Sequence, residues 1–179
     1  LSRGLLDDAA NALDGALQLS PQGGLTRAWR ALVELGRGRP DQALVEAQAE
    51  TSEIFRNVAT AVVQAWRGEM EASEAALAEL VASHGADSPY QVAEVHGCRG
   101  EADAAFEWLE RAFAFRDPGL SYVKIDPFLQ RLHGDPRWPA LLGRMTALHR
   151  LAAGSAPRAV VLSASSLLRR VIPPAELAA

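Results

Sequence analysis

Apolar residues return every three or four positions through most of this chain, the spacing of one face of a helix. Downstream of Gly4, Ala9, Leu13, Ala16 and Leu17 share a side of a segment that Pro21 must end, because proline cannot continue the hydrogen-bond ladder. Residues 25–36 repeat the pattern with Leu25, Ala28, Leu32 and Leu35, and residues 54–67 with Phe55, Val58, Val62 and Ala65. Residues 88–98 open with Ser88 as an N-cap and Pro89 at the first helical position. Further amphipathic segments begin at Gly38, Gly68 and Gly100. The last carries Ala105, Leu109, Ala112 and Phe113 before Asp117-Pro118. The pattern predicts an all-α chain.

It also predicts an internal repeat. The segments starting at Gly4, Gly38, Gly68 and Gly100 each place a small residue five positions on: Ala9, Ala43, Ser73 and Ala105. The glycines lie 34, 30 and 32 residues apart. Such a period suits a repeating antiparallel helix pair. The small residue lets a neighbouring helix approach closely, and the glycine supplies a turn tolerant of positive φ. The expected units are a half repeat over residues 1–22 and repeats over about 24–53, 54–85 and 86–118. Only three residues precede Gly4, so the chain is expected to start in mid-repeat, with Leu1 standing where an initiator methionine would be.

These features resemble the tetratricopeptide repeat family, whose unit is a 34-residue helix pair. The fourth segment matches best, through Tyr90, Val92, Ala93, Gly100, Ala105, Leu109, Ala112 and Pro118, and the first through Ala9, Leu13, Ala16 and Pro21. The second and third depart from the family pattern: Arg27, Arg30, Asn57 and Thr60 occupy apolar family positions, and Glu50 replaces a small packing residue. The resemblance covers roughly residues 1–118 and implies an antiparallel helix-pair solenoid, a superhelix whose first helices line a concave groove.

Residues 119–151 read as a C-terminal cap. Leu120 to Ile125 alternates like a short extended connection, and Asp126-Pro127 and Asp135-Pro136 each pair an aspartate cap with a proline at the first helical position. Phe128, Leu129 and Leu132 form one apolar face; Trp138, Leu141, Leu142, Met145 and Leu148 form another. A solenoid needs such a unit to cover its open end. The stretch GLSYVKIDPFLQRLHGDPRWPALLGRM resembles the segment that follows the last repeat in bacterial signalling and regulatory proteins. From residue 152 a linker (AAGSAPR) leads to AVVLSASSLLRRV, a short helix or an extended segment, which Pro173-Pro174 stops.

Composition narrows the class. Alanine and leucine supply 58 of 179 residues and aromatics only 6%, which opposes a sandwich or barrel. The single cysteine, Cys98, excludes an intramolecular disulfide and a multi-thiolate zinc site. No run reaches the eighteen apolar residues of a spanning helix and no secretory pattern opens the chain, so no membrane association and a cytoplasmic location are expected. Residues 1–118 carry a net charge of −9 and residues 119–179 a net +5. An acidic body with a basic tail lacks the dense basic stripe of a nucleic-acid binder.

Chemistry-bearing motifs are not found. His84, His96, His133 and His149 never share the i, i+4 spacing of a helical metal site, and His96 and Cys98, two apart on a helix, point in different directions. Cys98 is best read as a small buried hydrophobe. The G-R-G-R run puts Arg37 and Arg39 in a turn, where both are expected to be solvated. The expectation is therefore no catalytic residue, no metal and no cofactor. The groove that the resemblance implies would be faced by Trp29, Asn57, Trp66, Tyr90, Gln91 and Glu94, a mixture of aromatic and polar groups suited to a protein or peptide partner. No first helix carries a lysine, so the family's clamp for a terminal carboxylate is not carried over. The first segment leaves Leu5, Leu6, Ala9, Leu13 and Leu17 without a preceding helix, which offers a homodimer interface instead.

Overall fold

The computed structural model describes residues 3–152, with side chains over residues 4–146. Among these residues every regular element is helical and none is a strand. In chain order they are α1 (Arg3–Leu19), α2 (Thr26–Gly36), α3 (Pro40–Gln48), α4 (Glu53–Trp66), α5 (Met70–His84), α6 (Pro89–Arg99) and α7 (Ala102–Phe115). Two 3₁₀ helices, Pro118–Tyr122 and Pro127–Leu132, precede α8 (Arg137–Ala152). The expected tail beyond Ala152 lies outside the described residues. No described helix is long and apolar enough to cross a membrane.

Each helix pairs with its successor: α2 with α3, α4 with α5, and α6 with α7. The turns inside these pairs run through Gly38, Gly68 and Gly100, at φ 71°, 77° and 78°. Side chains are disfavoured in that left-handed region, which is why glycine recurs there. Gly4 has no such role, since it lies within α1. The small residues sit at the crossings. Ala43, Ser73 and Ala105 are fully buried, and the Ser73 hydroxyl donates to the Ala61 carbonyl of α4 at 2.7 Å. A larger residue there would hold the paired helices apart.

The first helices also touch each other, α2 against α4 and α4 against α6. One apolar core runs from Leu6 and Ala10 of α1 through Leu32, Val62 and Leu80 to Val95 and Cys98 of α6. A second joins α6 and α7 to the cap through Tyr90, Leu109, Leu129, Leu132, Trp138 and Leu141. Leu120 to Ile125 is not extended: Asp117 accepts from the Gly119 amide at 2.8 Å and starts a 3₁₀ helix. Asp126 does the same for Phe128 at 2.8 Å. Thus both aspartate–proline pairs that precede the 3₁₀ helices act as caps.

The residues that break the apolar pattern of the second repeat are ion-paired. Glu34, fully buried, meets Arg30 at 2.7 Å and Arg37 at 2.9 Å. Those arginines reach back to α1, Arg30 to Asp14 at 3.0 Å and Arg37 to Asp7 at 2.6 Å. Arg37 is therefore not solvated as its turn position suggested; only Arg39 remains largely exposed. A buried carboxylate is tolerable only with several partners, and Glu34 has them. Arg27 pairs with Glu46 across α2 and α3 at 3.0 Å.

Leu6 is buried against α2, with Ala9 and Leu13 packed beside it, so the proposed dimer stripe is largely consumed inside the chain. Periodicity shows that a helix has an apolar face without showing which neighbour takes it.

Gly97 marks the closest approach of α6 to the cap. A β-carbon there would stand 2.8 Å from both the Phe128 carbonyl oxygen and Leu129 Cδ2. Alanine ordinarily improves a helix interior by up to about 1 kcal/mol over glycine. Here overpacking outweighs that, so Gly97→Ala should destabilise by about 1–3 kcal/mol. Thermal unfolding followed by circular dichroism checks it: a lower midpoint is expected, and an unchanged or higher one would show that the cap yields freely.

Candidate functional site: an apolar groove with an acidic end

A groove of about 630 Å³ opens along α2, α4 and α6. Its apolar wall comes from Leu25, Trp29 and Leu32 of the α2 region and from Ile54, Phe55 and Val58 of α4. These are i, i+3 and i+4 neighbours, so each helix presents one stripe to the groove. Tyr90, Gln91 and Glu94 of α6 continue the lining, and residues 117–128 fold across beside them. Four carboxylates, Asp87, Glu94, Asp117 and Asp126, line the groove, and no lysine or arginine does.

The polar end is built from Tyr90 outward. Asp117 accepts from the Tyr90 backbone amide at 3.1 Å, giving α6 an N-terminal acceptor from 27 residues away. Ser88 stands at the cap position but makes no side-chain bond there. The Tyr90 hydroxyl donates to Asp126 Oδ2 at 2.6 Å, a short charge-assisted contact. Glu94 lies within hydrogen-bonding reach of Asp126.

Two carboxylates that close do not both ionise readily. Burial pushes the Glu94 carboxyl well above its usual range, and the charge of Asp126 pushes it further. Burial raises Asp126 as well, although bonds from Glu94, Tyr90 and the Phe128 amide favour its charged form. The two carboxyls thus hold a proton more tightly than isolated ones would. The Tyr90 hydroxyl is itself pushed well up, by burial and then by the Asp126 charge.

At the other end a second carboxylate does the work of a cap. Glu50, buried, accepts from the Ser52 amide at 2.9 Å and the Ala28 amide at 3.1 Å. Burial alone would raise its carboxyl, but these amides and that of Leu25 outweigh it and hold it below the usual range. Leu25 sits at φ 76°, a conformation costing about 1–2 kcal/mol for a residue with a side chain. The anchored amide keeps Leu25 in that state on the groove wall. Glu50, which breaks the family's small-residue pattern, is therefore a cap for α2.

Four of the six expected groove residues, Trp29, Tyr90, Gln91 and Glu94, do line it. Tyr90 does so while fully buried, so it shapes the groove more than it offers a free surface. Asn57 and Trp66 are corrected. Asn57 is buried, two residues and roughly 200° around α4 from Phe55. Trp66 packs against the core three turns beyond Phe55, roughly 16 Å along the axis. Leu25, Ile54 and Phe55 belong in their place. In the sequence Asp126 shows only as a cap and Asp117 only as the end of the fourth segment, because the contacts that make them part of the site span 36 and 27 residues.

Cys98 is buried, its thiol pushed up to about 12 by that burial, and His96 is paired instead with Glu101 at 2.6 Å. No group of three or more His, Cys, Asp or Glu among the described residues converges as metal ligands would. A shallower hollow of about 340 Å³ lies between Val81, Trp108 and Phe115 on the second helices. No protein-family model matches the chain, and no curated protein or solved structure matches it.

The raised Glu94 carboxyl makes stability depend on pH. A folded-state value above the unfolded one means the folded chain holds the proton more tightly. The contribution is complete below the unfolded carboxylate range and is lost as pH rises through the folded value. Asp126 and Asp117 act on Glu94, and Tyr90 and His133 act on Asp126 beside it, so the measurement is a difference. Glu94→Gln should gain thermal stability relative to wild type as pH goes from 5 to 8. Parallel profiles for the two proteins would show that the pair does not share a proton.

Proposed function

We propose that the chain is a tetratricopeptide-like solenoid acting as a non-catalytic interaction module, with a peptide or helix of a protein partner held in the groove of its first helices. The observation that carries this reading is the groove itself: about 630 Å³, continuous over three helices, with part-buried Trp29 and Phe55 and half-exposed Tyr122 along it. Aromatic side chains beside polar groups are what recognition surfaces use. The glycine turns of like φ, the buried small residues and the pairing of successive helices support the repeat assignment. The segment from Pro118 onward packs against α6 and α7, as a terminal unit of such an array would. Its sequence resemblance supports a regulatory role within a larger bacterial signalling or transcription protein.

The test uses the groove wall. Immobilised chain should retain a stoichiometric partner from its host's lysate, and Trp29→Ala and Phe55→Ala should each reduce recovery about tenfold or more with the circular dichroism spectrum unchanged. Equal recovery from the folded variants would remove the groove from the binding surface.

Self-association is the second reading, narrowed to the outer edge of α1. Leu19 is 90% exposed, and Leu5 and Leu17 are only part-buried. Light scattering should then give a dimer mass that Leu5→Glu with Leu19→Glu returns to monomer. A monomer at high concentration excludes it.

A further inference from the structure

We propose that the groove takes a basic, aliphatic segment of a partner protein: an arginine or lysine reaches Glu94 and Asp126 while leucine-like side chains lie on the Trp29–Phe55 wall. This rests on the interaction-module reading above and specifies the chemistry of its partner.

Charge complementarity carries the assignment. Elsewhere in the fold, Glu34 meets Arg30 and Arg37, Glu46 meets Arg27 and Glu101 meets Arg99, while buried Glu50 is held by backbone amides. In the groove, four carboxylates have no arginine or lysine among the lining residues. Tyr90 and backbone amides satisfy individual oxygens of Asp117 and Asp126, but they neutralise no charge. A guanidinium or ammonium entering beside Glu94 and Asp126 would supply the cation that Glu34, Glu46 and Glu101 have. An acidic segment would meet like charge in a partly desolvated site, which is how such a surface rejects partners.

Dimensions favour a peptide over a small amine. Packed helices lie 8–10 Å apart, so α2, α4 and α6 together span about 18 Å. That is the length of roughly five or six extended residues. A cation at the α6 end and an apolar group at the α2 wall therefore belong to one chain segment several residues long.

The experiment titrates the full chain against labelled, end-capped octapeptides of leucine and serine that carry two arginines, two glutamines or two glutamates, read by fluorescence anisotropy. The arginine peptide should bind at least tenfold more tightly than the glutamine peptide, and the glutamate peptide most weakly. Glu94→Gln and Gln91→Arg should each reduce the arginine preference to near one. If the glutamine or glutamate peptide binds as tightly and Trp29→Ala abolishes that binding, the basic partner is overturned and the groove reading survives. If no peptide binds in a Trp29-dependent way, both fall. A tenfold gain in probe affinity on Arg169→Glu with Arg170→Glu would make the chain's own C-terminal segment the occupant. Loss of probe binding as the protein dimerises would make it a second copy. Either result overturns an external partner.

Discussion

The first amides of a helix have no partner within that helix, and where its start is buried they must find acceptors from outside. In this chain the acceptors are carboxylates carried in from the turns that follow the second helices. Glu50 serves the start of α2, and Asp117 serves the start of α6. Each bond closes a helix pair at the end opposite its glycine turn, so the two helices are tied at both ends. Removing such an acceptor leaves buried donors unsatisfied, which costs about 1–3 kcal/mol for each group. The register of the paired helices depends on these two residues more directly than on any single apolar contact.

The groove inherits its character from that arrangement. Asp117 caps α6 and the following 3₁₀ helix at once, and Asp126 repeats the device for the second 3₁₀ helix while holding the Tyr90 hydroxyl. The acidity of the site is thus a by-product of how the backbone is satisfied, with Glu94 added to a place already negative. The contact between α7 and α8 is treated differently. Arg137 reaches Asp103 and lies over the Phe106 ring, and Arg144 pairs with Glu110 above Phe113, so α8 is fastened to α7 by cations on acids and rings. Two regions of one small fold therefore carry different electrostatic solutions: charges compensated within the chain between α7 and α8, carboxylates without arginine or lysine among the groove's lining.

Much of this was legible in the order of residues. The seven helices before Pro118 lie close to where apolar periodicity, glycine and proline place them, because those signals act within a few residues. The three glycine turns followed from the spacing alone. What stayed hidden depends on contacts distant in sequence. Glu50 reads as an error in a packing pattern until the amides of Ala28 and Ser52 are seen beside it. Leu6 reads as a free surface until α2 covers it. Asn57 and Trp66 were assigned from an approximate helix phase, where a rotation of two residues or an advance of three turns removes a side chain from the groove.

The attachment of α1 has a consequence for how the molecule comes apart. Later helices are sealed by fully buried apolar side chains, whereas α1 contributes Leu6 and Ala10 to the core and otherwise clings to α2 through Asp7–Arg37 and Asp14–Arg30, whose aspartates are about half exposed. Ionic contacts of that kind weaken with added salt, while apolar burial does not. In concentrated salt α1 would exchange its amide hydrogens well before α6, so its release would precede the loss of the core that the later helices share.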